Sequence, residues 1–167
     1  VSLYLHIPFC RSMCWYCGCH TTITAKAQPI IDYLSLLRSE INAVATRVPG
    51  PLPVEKVHFG GGTPTVVKPQ DFVALAALLR DRFAFTATAE IAIEIDPRTL
   101  APAMVDALGS AGVGRASLGV QSFDPVVQKA VNRIQSEKQT AWAANALRRA
   151  GVSGINFDLI YGLPHQT

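Results

Sequence analysis

The four cysteines of this chain, Cys10, Cys14, Cys17 and Cys19, fall within the ten residues from Cys10 to Cys19, inside HIPFCRSMCWYCGCHT. The first three have the spacing C-x3-C-x2-C and follow a short apolar run. Three thiolates so spaced suit one cubane iron–sulfur cluster and leave one iron without a protein ligand. An open iron can bind and reduce a small molecule, so the chain would be a redox catalyst whose chemistry belongs to a cofactor. Disulfides suit the pattern less, because no cysteine lies elsewhere and bridges would only staple a local loop. Structural zinc stays open as an alternative, since four thiolates can complete a tetrahedral site. Zinc sites usually join two separated Cys-x2-Cys hairpins, however, and Cys17 and Cys19 stand one residue apart, awkward for a shared ion.

Other chemistry-bearing residues are spread along the chain. Gly60-Gly61-Gly62, followed by Thr63-Pro64-Thr65, leaves backbone amides and carbonyls unshielded, able to take a ligand's ammonium or carboxylate. A tight turn built from glycine for steric reasons explains the same residues, and no Gly-Lys-Ser/Thr follows to make a phosphate loop. Glu94 alternates with Ile91, Ile93 and Ile95, so it should point away from them, into a barrel lumen. A carboxylate there needs a ribose hydroxyl, an ammonium group or a paired arginine. Asp96, before Pro97, reads as a residue that orders the turn. Arg133 could meet a ligand carboxylate, with solvated surface charge as its default. His6, His58 and His165 occur singly and read as packing or turn residues. His20, beside Cys19, is a candidate general acid.

These groups need elements to position them. Ser2–Ile7, Val54–Phe59, Ile91–Ile95, Arg115–Val120 and Ile155–Ile160 read as strands. Ile30, Leu34, Leu37, Ile41, Val44 and Val48 recur at helical steps. A second helix starts at Pro69 with Phe72, Leu75, Leu79 and Phe83 as its stripe, and a third carries Leu100, Met104, Val105 and Leu108. A short helix covers Pro125–Val131, and a longer one, Glu137–Ala150, carries Trp142, Ala146 and Leu147 and ends at Gly151. Such alternation implies parallel strands with right-handed crossovers.

The cysteine loop follows strand one and the glycine loop follows strand two. Glu94 and Asp96 close strand three, Gln121 follows strand four, and Asp158 lies late in strand five. In a barrel all of these meet at the carboxyl-end face, whereas a doubly wound sheet gathers ligands at one switch point. The expectation is therefore an α/β chain forming a partial (β/α) barrel of about five βα units. Residues 1–167 read as one domain, a piece of a longer protein with its C-terminal part missing.

Composition narrows the function classes. With 49% hydrophobic residues the chain has ample material for a core, and its net charge of +3 is small. No Lys/Arg run or aromatic-basic interleaving suggests a nucleic-acid surface. No apolar run approaches membrane-spanning length. Clustered, reduced thiols fit a cytoplasmic protein, expected to be a monomer.

YLHIPFC, CWYCGCHT, VHFGGGTPT, EIDPR, GVQSF, VNR and NFDLIYGLPHQT, in this order along the whole chain, resemble the radical S-adenosylmethionine superfamily. Within it they are similar to the oxygen-independent coproporphyrinogen III oxidase group. The resemblance implies a [4Fe–4S] cluster held by Cys10, Cys14 and Cys17, with S-adenosylmethionine on the open iron contacted by Tyr4, Gly61 and Glu94. It implies a second S-adenosylmethionine beside Tyr16, Gly62, Thr63, Gln121, Arg133 and Asp158. Cys19 would be a further important residue that binds no iron.

The implied reaction removes a hydrogen from the β-carbon of a propionate with a 5′-deoxyadenosyl radical; loss of carbon dioxide and one electron leaves a vinyl group. Done twice, this takes coproporphyrinogen III, a tetrapyrrole, to protoporphyrinogen IX, with a reductase or flavodoxin-type protein as electron donor. A haem-binding chaperone and a haem-degrading methyltransferase of the same superfamily are the alternatives. Relatives of the chaperone kind usually carry phenylalanine where Cys19 stands, whereas Ser122 departs from the QDF of some oxidases.

Overall fold

The computed structural model describes residues 1–166. β1 (Ser2–Ile7) comes first, and Pro8 separates it from β2 (Phe9–Cys10), a two-residue strand paired in parallel with β3 (Thr22–Ile23). α1 (Gln28–Arg47), β4 (Pro53–Gly61), a 3-10 turn at Pro64–Val66 and α2 (Pro69–Arg82) follow. Then come β5 (Ala84–Ile95), α3 (Pro102–Ser110), β6 (Arg115–Gln121), α4 (Pro125–Ala130), α5 (Glu137–Arg149) and β7 (Gly154–Leu159).

Local chemistry sets the helix ends. α1 to α4 each carry proline in their first turn, where its missing N–H costs nothing and its fixed φ suits the helix. α4 is also capped by Asp124, which accepts from the amides of Val126 and Val127. α5 has no such proline and opens instead on a capping box between Ser136 and Gln139. It closes at Gly151, whose φ of +94° suits glycine.

The five long strands form one sheet in the order β1-β4-β5-β6-β7, every neighbouring pair parallel. Spatial order equals chain order, without the reversal that creates a switch point in a doubly wound sheet. This is the winding of a partial barrel wall, as the strand–loop pattern implies. Strand alternation gives the sheet two characters. Leu5, Ile7, Val57, Phe59, Ile91, Ile93, Ile95, Ala116, Leu118 and Val120 are all buried, and all but Val120 belong to the main core with the apolar faces of α1, α2, α3 and α5. The helices neighbour one another in chain order too, α1 beside α2, α2 beside α3, and α3 beside α5. Tyr4, His6, His58, Glu94, Ser117, Gly119 and Asp158 alternate with those apolar positions and so share the other face. A small satellite core of Val127, Val131 and Leu163, with Tyr16 and Ile160 against it, sits apart from the main one.

Several boundaries differ from the sequence reading. The third long strand is Ala84–Ile95, much longer than Ile91–Ile95. Its first part, AFTATAE, is too small and polar to show a buried face, and the pairing with β4 shifts register between Val54 and Lys56. Phe83 is the extended cap of α2 rather than part of its stripe, and Leu100 is buried ahead of α3. Val44 and Trp142 are exposed. α5 buries Thr140, Ala143, Ala144, Ala146 and Leu147, mostly small residues that suit close approach and leave the indole outside. Among the described residues no helix is long and apolar enough to cross a membrane.

Candidate functional site

The cysteine loop runs between β2 and β3 and is tied down at several points. Thr24 N donates to Cys10 O at 3.0 Å, and Arg11 Nη1 donates to Thr24 O at 3.0 Å. Across the site, three consecutive residues after α4 grip three consecutive residues of the loop. Val131 O accepts from Trp15 N at 3.0 Å, Asn132 Nδ2 donates to Met13 O at 2.7 Å, and Arg133 Nη1 donates to Cys14 Sγ at 3.4 Å. All four thiols are free; Cys14 is buried, Cys10 and Cys17 are half-buried, and Cys19 is exposed. Cys10 Sγ lies 3.3 Å from Thr63 Oγ1.

Cys14 meets a second guanidinium, with Arg98 Nη2 3.5 Å from its Sγ. Asp96 joins the two arginines. It accepts from Arg98 Nε at 3.0 Å and Nη2 at 2.7 Å, and lies 3.6 Å from Arg133 Nη2. It also accepts from the Arg98 amide at 3.0 Å, ordering the turn as expected before Pro97. Arg133 is no solvated surface charge: it is 7% exposed, and its Nη2 donates to Gly119 O at 2.5 Å. Arg98 was not a sequence candidate; its signal was the Asp-Pro-Arg turn directly after the third isoleucine of β5.

On the sheet, Tyr4 and His58 are register partners on β1 and β4, and their rings stack 5.6 Å apart. His58 Nε2 lies 3.1 Å from Glu94 Oε1, so the partner of Glu94 is a histidine rather than the arginine considered from sequence. His6 likewise joins a network, with Nδ1 3.3 Å from Tyr4 Oη and Nε2 3.0 Å from His20 O. From sequence both histidines read as packing or turn residues, because residue type and position say nothing of a polar cross-strand row. His165 has a φ of +65° and fits its turn reading.

The glycine loop differs from the expectation of unshielded donors. Gly61 N donates to Glu94 Oε2 at 3.2 Å, Gly62 N to Ile7 O at 2.9 Å, and Thr63 N to Phe9 O at 2.8 Å. Those amides are already used, and glycine is required by close packing. A Cβ on Gly60 would sit 2.8 Å from Tyr4 Oη, and one on Gly62 would sit 2.7 Å from Phe9 O.

A cavity of about 270 Å³ collects most of these groups, just below the usual range for small-molecule sites. Its wall includes Cys10, Cys14, Cys17 and Cys19 on one side and Gly61, Gly62, Thr63, Glu94, Asp96 and Arg98 on another. Tyr16, Ser117, Gly119, Gln121, Arg133 and Asp158 complete it. Asp158 is fixed by Ser117 Oγ at 2.9 Å and Asn156 Nδ2 at 2.7 Å, while Gln121 ends β6 with a φ of +69°. Of the predicted residues, Tyr4 and His20 lie outside the cavity lining. Tyr4 belongs to the shell behind Glu94, and His20 meets the network through its backbone carbonyl.

Environment tunes the acids and thiols. Burial pushes the Cys10 thiol up, with the Thr63 hydrogen bond partly offsetting it. Burial and a hydrogen bond with Cys17 raise Cys19. Tyr16 is raised by burial, against the opposing charge of Arg133, and Tyr4 by burial with Glu94 and Cys19 nearby. Burial alone would raise Asp96, but the Arg98 hydrogen bonds and the Arg133 charge hold it below the ordinary carboxylate range. Burial likewise works against the charged form of Arg98, and Asp96 more than reverses it.

The donor set suits an iron–sulfur cluster. Four free thiols border one cavity, two guanidinium groups stand ready to offset thiolate charge, and Arg133 Nε is buried without a protein partner. Among the described residues no three His, Cys, Asp or Glu side chains are arranged to hold a single metal ion. The thiols surround a space instead of a point.

Residues 4–167 match the family model of the radical SAM superfamily. The chain is 60% identical over 166 residues to an oxygen-independent coproporphyrinogen III oxidase of Bradyrhizobium diazoefficiens, covering 99% of this chain and 37% of that protein. It superposes on the solved coproporphyrinogen III oxidase (HemN) from Escherichia coli, a radical SAM enzyme, with a TM-score of 0.94 at 43% identity, covering 99% of this chain and 38% of that one. The native anSMEcpe structure with bound AdoMet matches at a TM-score of 0.58 and 15% identity, a likeness of fold alone. The chain thus spans little more than a third of the length of these two oxidase relatives.

Proposed function

The chain belongs to the radical SAM superfamily, and from that premise we propose that it is the cofactor-binding part of an oxygen-independent coproporphyrinogen III oxidase. Residues 1–167 are read as one radical SAM core unit of a longer protein. What supports the reading is its likeness, over nearly its whole length, to proteins bearing that name, together with Cys19 at the cavity wall beside the other three thiols.

The cofactors are a [4Fe–4S] cluster and S-adenosylmethionine, and Cys10, Cys14 and Cys17 are the residues that would hold the cluster. When bound, these groups supply a one-electron reductive cleavage and a carbon radical able to abstract hydrogen. The protein's own part is to bind, orient and exclude water. Glu94, steadied by His58 and the Gly61 amide, offers a fixed carboxylate acceptor for ribose hydroxyls. Asp158, held by Ser117 and Asn156, offers another at the far wall, with Gln121 nearby for a second S-adenosylmethionine. Arg133, a guanidinium on the cavity wall, is suited to a carboxylate. Tyr16 packs on the satellite core and stays a neutral aromatic wall, since burial raises its phenol.

Each of two propionates of the tetrapyrrole substrate would lose a β-hydrogen, carbon dioxide and one electron to leave a vinyl group. Cys19, exposed at the cavity, is the residue suited to act on that substrate. His20 is less suited to act as an acid, because its ring lies outside the cavity lining. A flavodoxin-type donor, a monomeric state and a cytoplasmic setting belong to the same proposal.

The test is anaerobic incubation of the full-length product carrying this chain with dithionite, S-adenosylmethionine and coproporphyrinogen III. Protoporphyrinogen IX and released carbon dioxide are expected. Haem binding without any decarboxylation would replace the oxidase by a haem carrier.

A further inference from the structure

Cys14 differs from the other three thiols in what surrounds it. It is the most deeply buried, and its sulfur is the only one within reach of guanidinium groups among the hydrogen bonds of the described residues. Arg98 Nη2 approaches at 3.5 Å and Arg133 Nη1 at 3.4 Å, distances normal for a nitrogen donor and a sulfur acceptor. Neither arginine is free to swing away. Arg98 is locked side-on to Asp96 by contacts of 3.0 and 2.7 Å, and Arg133 is pinned by Gly119 O at 2.5 Å and by Asp96 at 3.6 Å. The side chains are 15% exposed for Arg98, 8% for Arg133 and 10% for Asp96. Two cations and one anion leave a net positive charge fixed against one sulfur, in a place that screens it poorly.

Such an arrangement has a consequence for a metal on that sulfur. Hydrogen bonds and positive charge at a thiolate withdraw electron density, favour the more reduced, more negative state of a cluster, and so raise its reduction potential. The geometry points to Arg98 as a positioning residue that acts through Cys14 to make the cluster easier to reduce, with Asp96 fixing the direction of its donor. This rests on the reading that Cys14 is a cluster ligand. Arg133 also spends a donor on Gly119 O, whereas the Arg98 hydrogen bonds all go to Asp96 and Cys14. Both arginines line the cavity, and both reach the Cys14 sulfur, but only Arg98 is locked to Asp96 by a forked pair of hydrogen bonds.

The experiment compares the full-length protein with Arg98→Gln and Arg98→Lys after anaerobic reconstitution with iron and sulfide. The readouts are iron per chain, melting temperature and a dithionite titration of the one-electron couple followed by electron paramagnetic resonance, with no turnover involved. In Arg98→Gln the cluster should remain, its midpoint should move to more negative potential, and the reduced-to-oxidised ratio at a fixed poise should fall roughly fivefold to tenfold, part of the worth of one charge-assisted hydrogen bond. Arg98→Lys keeps the charge without the fork and should shift the same way by less. Unchanged potentials in cluster-loaded variants, or shifts to more positive values, would overturn the inference. So would loss of the cluster from both variants, which would make Arg98 a structural brace. A wild-type protein that takes up no cluster would instead overturn the cluster reading itself.

Discussion

An alanine at Gly62 tests whether the glycine loop exists for packing. Its Cβ would stand 2.7 Å from Phe9 O and 2.9 Å from both Phe9 C and Phe9 N, closer than side-chain carbons approach a backbone. Gly62 is not among the glycines with positive φ, so the cost is steric. The two segments cannot ease apart freely, because Gly62 N is bonded to Ile7 O at 2.9 Å and Thr63 N to Phe9 O at 2.8 Å. Overpacking of this kind costs about 1–3 kcal/mol. At about 2–4 °C per kcal/mol for a chain of this size, the melting temperature should fall by roughly 2–12 °C.

Phe9 adjoins Cys10, whose sulfur lies 3.3 Å from Thr63 Oγ1, so the displacement should also reach the proposed cluster site. A reconstituted Gly62→Ala protein should lose iron to a chelator faster than the wild type. Gly18→Ala is the control, since a Cβ there meets nothing within 4 Å. A Gly62→Ala variant with wild-type melting and iron retention would refute the steric account, and so would a Gly18→Ala variant equally damaged.

Other expectations follow from the same contacts. Asn132→Ala removes the bond to Met13 O and puts alanine at a φ of +55°, and should cost about 1–3 kcal/mol and speed cluster loss; Asn132→Gly relieves the backbone but not the bond, so it should melt higher while still losing iron quickly. Asp96 is held below its unfolded value of about 3.9, so it contributes stability above about pH 4 that is lost as pH falls through the folded value. Asp96→Asn should flatten that acid limb of melting temperature against pH, and at pH 7 should cost about 3–5 kcal/mol by leaving the buried Arg133 and the half-buried Arg98 uncompensated. Ser136→Ala breaks the α5 capping box and should lower stability by about 1 kcal/mol with iron content unaltered, since the cap lies outside the cavity lining.

Much of the scaffold was legible because it is written in local chemistry. Prolines mark four helix starts, alternating isoleucines expose the end of β5, and Gly151 closes α5. What escaped was structure without a local signature. The first half of β5 is bland, the β2–β3 pair is two residues long, and the exposure of Trp142 depends on how near α5 lies to its neighbours.

The site divides in the same way. The cysteine spacing and the polar residue after each long strand identify the groups gathered at one end of the sheet, because a parallel fold in chain order brings strand ends together whatever the details. Sequence could not say that Arg133 is buried, that Arg98 belongs to the site, or that His58 is the partner of Glu94. Residues 84 positions apart, Cys14 and Arg98, and 119 apart, Cys14 and Arg133, meet only after the sheet is assembled. Residue type and spacing pick out the thiols proposed to hold iron. The electrostatic setting of those atoms is a property of burial and long-range contact, which tertiary structure alone decides.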